Sequence, residues 1–146
     1  MCSSHATVRG LLHELPSHNF QSVVVDNEAS PEHLSRATTE AADIMLVVAE
    51  PYFKSLETAR RYAGLGAELG IPDVAVVANK VRDDRDRGAI EAFCQSHGME
   101  LIGVVPFDDA VGDAERVGLA PLDHSSDAAS VRALAKLCER IRNAGT

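Results

Sequence analysis

Long apolar runs are missing from this sequence. The longest, Ile44–Ala49, is six residues, far short of the roughly 18–20 that a membrane span needs. The opening stretch MCSSHATVRG has no apolar segment ahead of its first polar residues, so it does not read as a secretory signal. Basic residues are outnumbered, with 14 Lys and Arg against 22 Asp and Glu and a net charge of −8. That balance excludes the basic footprint of a nucleic-acid binder. Cysteine is scarce and odd in number: Cys2, Cys94 and Cys138 make no disulfide framework, and the cytoplasm is the expected compartment. Internal repeats, low-complexity tracts and domain linkers are absent. Aromatic residues are few at 4%, yet 45% hydrophobic and 25% charged residues are ordinary for a globular domain. A disordered, collagen-like or fibrous chain is thereby excluded. At 146 residues the length suits one domain that buries roughly 68–70% of its unfolded surface.

What is present is a series of short β-branched runs separated by helical stretches. Ser22–Asp26 reads SVVVD, Asp43–Glu50 DIMLVVAE, Asp73–Asn79 DVAVVAN and Glu100–Val105 ELIGVV. Each is continuously apolar rather than alternating, as expected of strands covered on both faces of a parallel sheet. Helices are expected between them. Ser30 is a good N-cap with Pro31 behind it, and Leu34, Ala37 and Ala41 line one face. A helix from about Ser55 carries Leu56, Ala59, Ala63 and Gly66 on one stripe and stops at Gly70 and Pro72. Another spans Asp84 to His97, with Ile90, Phe93, Cys94 and His97 inward and Gly98 as its stop. A short one follows Asp109, with Val111, Ala114 and Val117 on one side. The last begins near Ser126, with Val131, Leu134, Ala135, Cys138 and Ile141 inward. Ser4–Leu15 also fits a helix. Cys94 and Cys138 are expected to be buried as small hydrophobes. The charged run Arg82–Arg87 is expected to be a solvated loop and helix start. The class is α/β: a three-layer, mostly parallel open sheet with helices on both faces, in one domain.

In such sheets ligands bind beyond the carboxyl ends of the strands. All four predicted strands run into polar residues there: Asp26, Glu50, Asn79 and, after the last strand, Asp108. A carboxylate at a strand tip can hold a magnesium-bound water, and the amides of a helix N-terminus favour phosphate. The side-chain amide of Asn79 offers both a donor and an acceptor to a purine edge. The set points to a nucleotide or metal crevice.

The segments VVVDNEASPEHLSR at Val23–Arg36, DIMLVVAEPYFKSLETARR at Asp43–Arg61, VAVVANKV at Val74–Val81 and VVPFDDAV at Val104–Val111 resemble the ParA/MinD-type deviant-Walker P-loop ATPases. Together with HATVRGLL at His5–Leu12 they are most similar to the CooC-type accessory proteins of carbon monoxide dehydrogenase. The resemblance implies an ATP-dependent, magnesium-requiring homodimer that helps insert nickel into a metalloenzyme client. It makes Asp26 the magnesium-associated acid. Ser30 stands where the family carries a glycine whose amide approaches the γ-phosphate. Asn79 would recognise adenine with Lys80 beside it, and Pro106 and Asp108 would line the base pocket. Cys2 matches the second cysteine of the family's metal-linked Cys-x-Cys pair, so a nickel or zinc site across a dimer interface is implied. His5 is the nearest further donor; a terminal thiol without a metal is the other reading of Cys2.

The family also carries a Gly-rich loop followed by Lys-Ser/Thr, which cradles the phosphates. No such run occurs in these 146 residues, and the one GxG is Gly64-Leu65-Gly66 inside a predicted helix. The expectation is a chain matching the C-terminal part of a longer ATPase, which does not hydrolyse ATP alone and binds it weakly. Other readings stay open. One is a split or degenerate non-catalytic subunit that pairs with a P-loop chain. Another is a GTPase-like domain, since Asn79-Lys80 begins an N-K-x-D signature in which Arg82 replaces the Asp. A receiver-type signalling domain fits the order of the motifs poorly.

Overall fold

A computed structural model of the chain describes residues 22–26 and 42–144. In order, its elements are β1 (Ile44–Ala49), α1 (Phe53–Glu68), β2 (Asp73–Val81), α2 (Asp84–Ser96), β3 (Glu100–Pro106), α3 (Asp109–Arg116), α4 (Pro121–His124) and α5 (Ala129–Ala144). The strands form a parallel open sheet in the order β1-β2-β3. Parallel neighbours need a crossover, and α1 and α2 supply it. Among the described residues, 46–63 and 75–144 make one compact unit, whereas 22–26, 42–45 and 64–74 belong to another.

The continuously apolar runs do become strands where they have neighbours. Ala75, Val76, Val77 and Ala78 of β2 are all buried, at 4% exposure or less, as the middle strand of a covered sheet requires. From Ala75 opposite Glu100 to Val81 opposite Pro106, β2 and β3 run in parallel register, with irregular steps after Val76 and Ala78. Helix α2 starts on an Asp83 cap whose carboxylate accepts from the Arg85 and Asp86 amides, so the charged run is a loop and helix start as expected. Its Ile90 and Cys94 are buried, and it ends at His97 before Gly98. There φ is +64°, a left-handed geometry that glycine adopts without Cβ strain. Both α2 and α5 pack on β3.

Several expectations need correction. Ser22–Asp26 is not a strand; its residues are irregular and exposed, Val24 at 92%. An apolar run becomes a strand only where a neighbouring backbone takes up its N–H and C=O groups, and this segment has no ladder. The inward face of α5 is also different. Leu137 is buried, with Ala133 and Ile141 half-buried on the same stripe, while Leu134 and Cys138 are exposed. The helix carries two competing apolar stripes, and Gly103 of β3 decides between them. A Cβ on Gly103 would sit 3.0 Å from Leu137 Cδ1, so this glycine admits Leu137. In α3 only Ala114 is buried, whereas Val111 and Val117 are exposed. His97 is exposed and stacks on Phe93, ring centroids 4.2 Å apart. Helix α4 is additional. The helices expected at Ser4–Leu15 and after Ser30 lie outside the described residues.

Among the described residues no helix is long and apolar enough to cross a membrane. The β3–α5 contact yields the first test. Gly103→Val should destabilise the protein by about 1–3 kcal/mol, because the added methyls displace Leu137 from a filled site. Thermal unfolding of Gly103→Val alone and combined with Leu137→Ala should show the smaller side chain recovering part of the loss.

Candidate functional site at the carboxyl end of the sheet

Three neighbouring strand ends meet here. β1 runs into Glu50, whose amide donates to Ser55 Oγ at 2.9 Å. β2 ends in Asn79, Lys80 and Val81. Lys80 takes φ +56°, rare for a residue with a side chain and sustained only where surroundings over-determine it. Two contacts do so: its amide donates to Asn79 Oδ1 at 3.0 Å, and its ammonium to Glu50 Oε1 at 2.9 Å. The Glu50 carboxylate, through that hydrogen bond and its charge, raises the Lys80 ammonium above the usual lysine value. The pair is exposed, so water screens it; its consequence is positional.

β3 is tied to the same end by the Phe107 amide, which donates to the Val81 carbonyl at 2.9 Å. Pro106 closes the strand, and Asp108 follows as N-cap of α3, accepting from the Ala110 amide at 3.1 Å. Its other oxygen accepts the Ser130 amide at 3.0 Å and the Ser130 hydroxyl at 3.1 Å. Ser130 is 2% exposed. These hydrogen bonds, the Ser130 amide foremost and the Ala110 amide next, hold the Asp108 carboxyl below the usual aspartate range. Beside it the Arg82 guanidinium lies 3.6 Å from the centroid of the Phe107 ring.

The structure thus brings Asn79, Lys80, Pro106 and Asp108 to one end of one sheet. Among the described residues Asn79 keeps an unengaged Nδ2 donor and one further lone pair on Oδ1. Asp108 is differently employed: its oxygens accept from the Ala110 amide and from the Ser130 amide and hydroxyl, so it braces the starts of α3 and α5. Asp26 belongs to the other compact unit, exposed and irregular. Cys2, His5 and Ser30 lie outside the described residues. Sequence reasoning did not foresee Ser130, which sits 22 positions beyond its partner. The Glu50–Lys80 pair was equally hidden, although Glu50 was marked as a strand-end polar group and Lys80 as the neighbour of Asn79. Among the described residues no three or more His, Cys, Asp or Glu side chains cluster as metal ligands.

The Asp108 network generates a pH prediction. A carboxyl whose folded value is depressed contributes stability above its unfolded value, near 3.8, and loses it as pH falls through the lower folded value. Asp108→Asn should therefore melt several degrees below the parent at neutral pH. The gap should narrow on acidification below pH of about 4. A gap independent of pH in thermal melts would show that the carboxylate charge is not what holds Ser130.

No family model matches the chain. It is 38% identical over 125 residues to the carbon monoxide dehydrogenase accessory protein CooC of Rhodospirillum rubrum, covering 86% of this chain and 47% of that protein. An uncharacterised ATP-binding protein of Methanocaldococcus jannaschii is 36% identical over 129 residues, 88% of this chain and 50% of its own length. Among solved structures, the MinD cell division protein of Aquifex aeolicus superimposes with a TM-score of 0.80 at 22% identity, covering 95% of this chain and 61% of that one. The chain spans about half the length of the curated relatives it matches. By sequence and by fold, then, this chain is ParA/MinD-like and related to CooC.

Proposed function

We propose that this chain forms the base-binding end of a CooC-like ATPase and works with a phosphate-binding loop that its 146 residues do not include. The observation that carries the reading is the convergence of Asn79-Lys80 with Pro106–Asp108 at adjoining ends of β2 and β3. The free Asn79 Nδ2 and the spare Oδ1 lone pair suit an adenine edge, which offers an acceptor beside a donor. Lys80, held aside by Glu50, keeps that edge of Asn79 open. The fit to ATP stops at the base. No sequence segment here supplies an amide cradle for a triphosphate, so no hydrolytic step is assigned to the chain alone. Asp26, as the magnesium-associated acid, and Ser30, near the γ-phosphate, are proposed roles within the larger nucleotide site. A homodimer, or pairing with a P-loop chain, would complete that site.

The likeness to CooC supports an accessory role in the cytoplasm, with nickel as cargo and a carbon monoxide dehydrogenase-like enzyme as client. Cys2 is the proposed nickel or zinc ligand. A guanine-binding reading is less well supported. Arg82, where the guanine signature has Asp, stacks on Phe107, and the Asp83 carboxylate is spent capping α2.

Titrating ATP and GTP into the purified full chain, followed by amide NMR, tests the reading. ATP should shift the Asn79 side-chain amide with weak, millimolar affinity. Asn79→Ala should weaken it by about tenfold, the scale of one lost hydrogen-bonding pair. No phosphate should be released. Equal binding of GTP would sink the adenine assignment. ATP turnover that disappears on Asp26→Ala would overturn the claim that the chain needs a separate phosphate loop.

A further inference from the structure

Strand β3 is the terminal strand of the described sheet, and a groove of about 480 Å³ runs where it meets α5, lined by Ile102, Val104 and Pro106 of the strand and Arg132, Lys136 and Arg140 of the helix. We propose that this groove receives an extended acidic peptide of a partner protein, added to the sheet as a further strand beside β3.

The direction of α5 along the groove follows from its contacts. Near its start Ser130 binds Asp108 just beyond the end of β3, and near its end Arg140 reaches Glu100 at the beginning of β3, 3.0 Å away. Helix and strand therefore run antiparallel. Arg132, Lys136 and Arg140 stand four residues apart, one above another on one helix face. Each step of four advances about 6 Å along the helix. Every second residue of a strand advances about 6.6 Å. An added strand with acidic side chains at alternate positions thus meets one cation after another.

The backbone of β3 shows that its outer side accepts donors. The Ile102 carbonyl takes a hydrogen bond from Arg140 Nη1 at 3.1 Å, so this edge carbonyl faces α5 rather than β2. Arg140 thus holds one lone pair of this carbonyl; an incoming strand pairs with the second or displaces the guanidinium, and finds the next outward backbone groups two residues on, at Val104. Arg132, whose guanidinium donates to the Asp127 carbonyl, and Lys136 are exposed, two cations on one helix face of a chain of net charge −8. Complementarity selects an acidic occupant, and the alternate outward backbone groups of β3 select an extended one.

The test uses the full chain and a fluorescein-labelled seven-residue peptide of alternating Glu and Val, matched to the seven residues of β3. Comparison peptides alternate Lys and Val, contain Glu alone, or carry N-methyl groups along the Glu–Val backbone. Fluorescence anisotropy should show the Glu–Val peptide binding at least about tenfold more tightly than each of them. The double variant Arg132→Glu with Lys136→Glu should lose at least about tenfold while keeping the parent melting temperature, and Lys54→Glu should bind as the parent does. The proposal is overturned if uniform Glu or the N-methylated peptide binds equally well, since the surface is then merely electrostatic. It is also overturned if the double variant binds undiminished, or if a short single-stranded RNA binds the parent more tightly than the peptide and is lost in the double variant.

Discussion

The β2–β3 ladder is the constraint from which the rest follows. β2 is buried through Ala75, Val76, Val77 and Ala78, so its backbone must be paired on both sides. Its pairing with β3 continues to Val81 opposite Pro106, and the Phe107 amide closes it on the Val81 carbonyl. The two strands therefore stop together, and the residues after each stop are neighbours in space. That coincidence, rather than the polarity of any one residue, makes a site of Asn79 and the Pro106–Asp108 turn.

A site of this kind needs its edges held still, and the surrounding charges act mainly as braces. Lys80 sits in a strained backbone conformation and is anchored at both ends, by Asn79 and by Glu50. Asp108 fastens the start of α3 and the start of α5 with one carboxylate. The ion pairs on the helix faces, such as Arg87 with Glu91, are exposed and of little energetic weight. The few partly buried hydrogen bonds at the strand ends do more to fix geometry than the more numerous surface pairs.

The strands β1, β2 and β3 were legible because continuous apolar runs bounded by polar residues have few other solutions. The limits of α2 were legible from the charged run Arg82–Arg87 and from Gly98, whose chemistry is local; the structure adds that Asp83 is the cap. Three features were not. A run such as SVVVD cannot announce whether a neighbouring backbone will pair with it, and Ser22–Asp26 has none. The buried face of α5 depends on Gly103, 34 positions before Leu137 and on a different element. The Asp108–Ser130 bond is likewise non-local. Asp108 was identified from its place after a strand and by resemblance, while its bracing role required the fold. Asn79 was identified from its place at a strand end, and the structure adds which of its atoms remain free.

The two outer strands manage their exposure differently, and that difference bears on association. On β3, Pro106 has no N–H to offer, and Arg140 occupies the Ile102 carbonyl; both features discourage unselective strand pairing. What remains is an edge guarded by cations, which favours acidic partners over copies of an apolar strand. On β1, Val47 and Ala49 are buried while Leu46 and Val48 are 38% and 60% exposed. Those side chains carry no charge to select a partner, so they gain from any apolar cover. Within the described sheet the proposed selectivity therefore lies at β3, where α5 lays its cations along the strand, whereas β1 presents apolar side chains with no charge to choose among partners.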